Sequence, residues 1–359
     1  MSGKQKSGRT SGVGQLIIPL VALGLLLLFN LIRDPGFYSI SMAVNNSGNQ
    51  VLSGNLISII DSASELAIIS MGMTLVTAAC GGQDISVGAV GAIAGAIFVK
   101  VVLGFESITL GAVLLGLLVC CLGTILFKMF NGVLVAVFKI QPMIATLILY
   151  SCGRSIAYWI NGDATPQISS PVISAMGMTI PGIPVPTPIF AVILMGLLLS
   201  LIFKLTNTRL YTQTVGINQG AARLNGINPV AVKMLSFGLL GICVAVAAVI
   251  GVARLGNLSH KTILVDIEMD AILAVAIGGN NLGGGKFRLS GSILGAYIIQ
   301  MLTTTLYAMN VATVNVKTYK ALVIIVIVVA GSPVVKARLT ALWSRLRGGS
   351  SAAAGREVA

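Results

Sequence analysis

The chain has 359 residues, of which 56% are hydrophobic and 9% charged, with a formal net charge of +13. A soluble domain needs more polar surface than that. The basic residues are scattered between apolar runs instead of gathered on one module, which argues against a nucleic-acid partner. Windows such as LIIPLVALGLLLLFNLI (16–32) match the roughly 20 apolar residues a helix needs to cross hydrocarbon. The composition therefore predicts an all-α polytopic membrane protein, and its 42 glycines suit close helix packing in lipid.

The N-terminal stretch MSGKQKSGRTSG is polar and basic, and the apolar run behind it has no small-residue cleavage site of the A-x-A kind. A short tail (1–14) and a retained first span are expected. Ten spans are predicted within a transmembrane region at 15–335: near 15–32, 56–79, 88–104, 108–130, 142–160, 188–205, 233–253, 266–279, 289–309 and 317–335. The fourth can continue through GVLVAVF, and the eighth is short enough to be re-entrant. A basic tail follows at 336–359, its end too small and polar to pack.

Placing the N-terminus inside puts most of the 23 Lys and Arg residues on inner segments, Lys128 and Lys233 among them. Both termini are then cytoplasmic. On the outer side, residues 161–188 carry six prolines, so an extended loop with a short turn is expected there instead of a helix. That loop is a plain connector or a docking surface for an external partner.

Two apolar segments are interrupted. Open backbone groups in hydrocarbon cost several kcal/mol each, so a break must be buried in protein or line a cavity. CGGQDISVG (80–88) is one break: Gly81 and Gly82 end a helix, and Asp84 or Ser86 can cap the next. AIGGNNLGGGKFRLSGSILGA (276–296) is the other. Two interrupted segments in two halves of a chain point to a transporter core. The span count places both breaks on the inner side. Asp84 is either a helix cap or a polar group on the solute route, because an ionisable residue at membrane depth is a functional suspect. Ser86, Asn280, Asn281 and Ser290 are candidate route contacts on the same grounds.

Acidic pairs recur at i,i+4, Asp61 with Glu65 and Asp266 with Asp270, each at an expected outer helix N-terminus. They complement the helix dipole or offer hydrogen bonds to a polyhydroxylated solute. His260 is the only histidine, which leaves no His-based metal cluster or catalytic triad. Cys80, Cys120, Cys121, Cys152 and Cys243 lie in apolar stretches without CxxC spacing and read as small buried hydrophobes. No metal, cofactor or catalytic residue is expected.

The longest polar inner loop is TNTRLYTQTVGINQGAARLNGINP (206–229). Within it NQGAARLNGI has a short helical pattern, with Ala221, Ala222 and Leu224 on a small apolar face bounded by Gly220 and Gly226. A helix of one or two turns is unstable alone. It is a solvated connector or a segment that inserts into a groove on another protein.

VGINQGAARLNGIN resembles the coupling segment of ribose/galactose-type ABC importer permeases, within the branched-chain amino acid/ribose permease superfamily. GMTLVTAACGGQDISVGAVGAIAGA (72–96) is similar to that family's G-M-T…GG-x-D-[IL]-S-V-G stretch, and MDAILAVAIGGNNLGGG (269–285) to its second glycine-rich stretch. Residues 139–157 and 295–300 resemble in particular the galactofuranose permeases of the family. Gln83, Gln219, Gly220 and Met269 depart from the usual pattern. The resemblance implies a permease subunit of a monosaccharide importer in a bacterial plasma membrane. A second permease chain, alike or related, would complete the channel, and an extracytoplasmic binding protein would deliver the sugar. Separate ATPase subunits would grip Val215, Gly216, Ile217, Asn218, Ala221, Ala222, Arg223, Leu224 and Gly226. The chain has no G-x-x-x-x-G-K-[ST] phosphate loop of its own. The alternative is a stand-alone ion-coupled carrier or channel.

Overall fold

The computed structural model describes residues 17–44, 50–168 and 170–331. The two tails and the end of the expected tenth span lie outside them. The elements in order are α1 (Ile17–Arg33), β1 (Ser41–Val44), β2 (Gln50–Ser53), α2 (Asn55–Ser62), α3 (Ser64–Cys80), α4 (Val87–Val102), α5 (Leu110–Ala136), α6 (Pro142–Asn161) and α7 (Pro171–Gly177). They continue with α8 (Thr187–Leu205), α9 (Thr208–Ile217), α10 (Gln219–Leu224), α11 (Pro229–Leu255), α12 (Ile267–Ile277), α13 (Leu289–Ala308) and α14 (Thr313–Gly331). The chain divides into two units, up to Thr305 and from Leu306. The described part of the second comprises the last turn of α13, a turn at Met309–Asn310 and α14.

In the first unit α3 is the axis. Its apolar residues fall on every side, and 89% of the membrane-length window formed by α2 and α3 is buried. A helix without a polar face belongs inside a bundle. It packs on α11, α12, α8 and α9. Gly72 lets α11 approach: a Cβ there would stand 2.8 Å from Leu240 Cδ1 and 3.0 Å from its Cα. By contrast α8 has only 22% of its apolar window buried, and its exposed side is leucine and isoleucine, as a lipid-facing helix requires.

Among the described residues six helical segments are long and apolar enough to cross a membrane: α2–α3, α5, α6, α8, α11 and α13. α1 and α4 are shorter apolar helices, and α12, at the eighth expected span, has only eleven residues. α5 does run on through GVLVAVF as far as Ala136.

Three features depart from the sequence reading. The proline-rich segment contains a helix, α7, because Pro171 sits at its first turn, where no N–H is needed and φ is already helical. Its Gly177 lies against the backbone of Ala253 and Arg254 at the end of α11. The second is a two-stranded antiparallel pair, β1 with β2, after α1. The third concerns Lys128, counted above as an inner loop charge: it stands inside α5 with no exposed surface. The five cysteines are free thiols, two buried and three half-buried.

Candidate functional site

The two helix breaks meet. Gly81, with φ of 65°, ends α3 in the left-handed conformation that glycine adopts without a Cβ penalty. Its Cα lies so near Gly284 that a Cβ on Gly284 would stand 3.0 Å from it. Gln83 Nε2 donates to the Leu282 carbonyl at 3.0 Å, and the Gly285 N–H donates to the Ala78 carbonyl at 3.0 Å. Both breaks therefore lie at one end of α3, in keeping with the same-side placement read from the spans.

The third member of this junction is the end of α9. A Cβ on Gly216 would overlap the Ala78 carbonyl, and one on Gly285 would stand 2.6 Å from Ile217 Cγ1. Four glycines (Gly81, Gly216, Gly284 and Gly285) thus let three backbones touch where side chains would hold them apart. Sequence reasoning named each glycine segment separately but had no means of placing them together.

From the junction a helical hairpin turns outward. Asn218 separates α9 from α10, and its Oδ1 accepts the Ala221 N–H at 3.0 Å as an N-cap. Gly226, with φ of 76°, follows the end of α10. Ala222 and Val215 are buried against Ala79 and Val232. Leu224 and Ile217 point the other way, 91% and 75% exposed. The small apolar face expected for Ala221, Ala222 and Leu224 is thus divided: Ala222 anchors the hairpin, Ala221 is exposed, and Leu224 stands free beside exposed Arg223. α9 itself, a ten-residue helix in front of the expected one, was not anticipated.

The first break is held by charge. Lys128 Nζ donates to Asp84 Oδ2 at 2.8 Å and to Ser86 Oγ at 2.9 Å, and both ionic side chains have no exposed surface. Asp84 Oδ1 accepts the Ser86 N–H at 2.8 Å and its hydroxyl at 2.7 Å, a local turn just ahead of α4, whose own first N–H groups have no side-chain cap. Asn131, one turn beyond Lys128 on α5, donates to Ser86 Oγ at 3.0 Å. Thr146 Oγ1 on α6 accepts the Ile85 N–H at 3.1 Å. Asp84 and Ser86 therefore spend their polar atoms on protein.

The second break is held without charge. Asn280 Oδ1 accepts the Arg288 N–H at 2.7 Å, and its Nδ2 donates to the Arg288 carbonyl at 3.1 Å and to Ser292 Oγ at 2.8 Å. Ser292 in turn shares a 2.6 Å hydrogen bond with Thr74 of α3. Asn281 is exposed and shapes the loop through Gly283 N–H and the Gly284 carbonyl. Ser290 is exposed and opens onto a cleft beside α8.

At the opposite end of α3, about 24 Å away along the helix, the two acidic pairs approach one another. Glu65 and Asp270 line one polar hollow of about 320 Å³ with Arg254, Thr262 and Gln300. Arg254 makes ion pairs with Asp61 at 3.1 Å and Glu65 at 3.7 Å. Arg154 fixes the loop beside the hollow by donating to the Ile263 carbonyl at 3.2 Å from both terminal nitrogens, and to the His260 carbonyl at 2.6 Å. The hollow sits at the low end of the roughly 300–1,000 Å³ common for small-molecule sites.

The model of the family described as branched-chain amino acid transport system / permease component matches residues 55–331. The chain is 37% identical to the galactofuranose transporter permease protein of Escherichia coli K12 over 314 residues, covering 87% of this chain and 88% of that one. It is 34% identical to the fructose import permease protein of Bifidobacterium longum over 323 residues, 88% of this chain and 86% of the other. With the ribose import permease protein of Escherichia coli K12 it shares 33% identity over 316 residues, 86% and 91% of the two chains. No solved structure matches the chain.

Proposed function

From the chain's membership of that family of transport-system permease components, to which it belongs, we propose that it is the membrane-spanning subunit of an ATP-driven monosaccharide importer. Ten crossings complete the channel-forming chain: the six long helical segments together with α1, α4, α12 and α14. The bias of basic residues supports cytoplasmic ends for both tails. A second permease chain, a cytoplasmic ATPase and an extracytoplasmic sugar-binding protein complete the transporter in a bacterial plasma membrane.

The observation that carries the coupling role is the contact of Gly216 with the ends of both helix breaks. A partner that grips the exposed residues of α9–α10 moves Gly216, and Gly216 has no side chain to yield before the α3 terminus and the 283–285 backbone move with it. Rigid-body displacement of this kind switches access from one side to the other. In this reading Val215 and Ala222 anchor the hairpin. Ile217, Asn218, Ala221, Arg223 and Leu224 face the ATPase, and Gly226 ends the segment.

The residues nominated for the route divide. Asp84, Ser86 and Asn280 frame the breaks, and Asn281 offers its exposed face at the junction. The hollow of Glu65, Arg254, Asp270 and Gln300 offers the carboxylate, guanidinium and amide groups that hydrogen-bond a neutral polyhydroxylated solute. At the first break the Asp84 carboxylate is closed on Lys128, so it is not the ion-loading group that a stand-alone ion-coupled carrier would need.

The test is uptake into vesicles holding the full chain together with its ATPase and binding-protein partners, using labelled ribose, fructose and galactofuranose. ATP-dependent accumulation of one of them is expected, with none by the chain alone. Gly216→Asp and Ala222→Arg should abolish uptake and stimulated ATP hydrolysis while the protein still inserts. Uphill accumulation by the chain alone would overturn the importer reading, and normal uptake by both variants would overturn the coupling role.

A further inference from the structure

On the same side as the glycine junction, α8 and α13 leave a cleft of about 810 Å³ between them. It joins a second hollow of about 470 Å³ through shared residues, among them Arg209, Phe287 and Arg288. The two ends of this space differ in chemistry. Along the helices its wall is apolar, formed by side chains such as Ile193, Leu197 and Ile293, and Leu197 is 64% exposed. At the inner end stand Lys204, Arg209, Lys286 and Arg288, with Ser290 beside them.

Among the described residues no carboxylate lines either hollow. None of these four cations is in an ion pair among the described residues. Arg288 Nη1 is buried without a hydrogen-bond partner. Burial, and then the charge of Arg209, push the Arg288 guanidinium down from its ordinary range, as expected of cations drawn together without a counter-ion.

A neutral sugar gives four cations nothing to neutralise. A soluble anion satisfies the cations and leaves the apolar wall unused. An acidic protein segment reaches the basic end but not a wall that runs along membrane-spanning helices. An anionic phospholipid matches both ends, and basic pockets between membrane helices on the cytoplasmic side hold such headgroups. We propose that the α8–α13 cleft binds an anionic phospholipid, its phosphate held by Arg209 and Arg288 with Lys204 and Lys286 around it, and an acyl chain along Ile193, Leu197 and Ile293. Arg209 belongs to the first turn of α9, and Arg288 closes the second helix break. The lipid therefore ties the hairpin to the loop whose movement opens the channel, and it tunes coupling without touching the solute. The inference goes beyond the importer reading and does not depend on the sugar.

The experiment uses the full chain, delipidated in neutral detergent and titrated with phosphatidylglycerol or phosphatidylcholine while retained lipid is counted by native mass spectrometry. Phosphatidylglycerol should be retained over phosphatidylcholine by about tenfold or more. The double variant Arg209→Gln/Arg288→Gln should erase that preference, and Lys261→Gln, in an exposed ion pair elsewhere, should leave it intact. Leu197→Trp fills the wall and leaves the cations in place. It should expel phosphatidylglycerol while inorganic phosphate still protects Arg209 and Arg288 from phenylglyoxal. Equal retention of the two lipids, unchanged retention in the double variant, or unchanged retention in Leu197→Trp would overturn the lipid assignment. So would a cross-link from Leu197→Cys to a second protein in native membranes.

Discussion

The two helix breaks end against the same glycines, yet they are secured by opposite means. The first is closed by a fully buried Asp84–Lys128 pair that draws in Ser86 and Asn131. The second is closed by one amide, Asn280, whose neutral hydrogen bonds lie between a buried helix crossing and an exposed, glycine-rich loop. The lesson concerns stiffness. A buried ion pair has one good geometry, and leaving it strands a charge in a medium that cannot solvate it. The buried amide network of Asn280 strands no charge when it opens, so its loss costs far less. The first break is therefore the fixed point of the junction and the second is the part that can move.

That contrast can be broken by taking away its strongest member. Asp84→Asn leaves Lys128 buried without its counter-charge, and unfolding of the purified full chain should show a loss of about 3–5 kcal/mol. Asp84→Leu with Lys128→Met should recover most of it. Equal losses in the single and double variants would mean that charge does not fix the first break. A smaller effect is expected from Asn280→Ala, which removes that residue's neutral side-chain hydrogen bonds: about 1–3 kcal/mol, with faster hydrogen exchange confined to residues 278–288. If that exchange spread to residues 81–86 as strongly, the two breaks would not differ in stiffness. Leu224→Asp should change stability least, within about 0.5 kcal/mol, since the residue is 91% exposed. It should nonetheless weaken co-purification of the ATPase. Unchanged co-purification would show that exposure of Leu224 is incidental.

The parts of this architecture that depend on neighbours in sequence were legible beforehand. Apolar runs of membrane length marked the six long helical segments among the described residues, and the glycine pairs with Asp84 marked the breaks. The run NQGAARLNGI (218–227) gave the short helix α10. What depends on distant partners was hidden. Lys128 sits in TILFKMF, where one lysine reads as the inner end of a span, and nothing local says that it meets a carboxylate 44 positions earlier. The meeting of Gly81, Gly216 and Gly284 is likewise a tertiary fact, although Gly81 was visible as a helix-ending glycine. α7 was missed because proline content was weighed without position, and Pro171 occupies the one turn of a helix that tolerates it. β1 and β2 are four residues each, too short for a period of two to stand out.

The Asp84–Lys128 pair also constrains how the chain is made. Asp84 leaves the ribosome before Lys128, and its carboxylate has no buried counter-charge until α5 has been made. The hairpin of α3 and α4 therefore reaches its final packing only when α5 supplies the matching cation, which makes these three helices the earliest part of the chain that can close on itself.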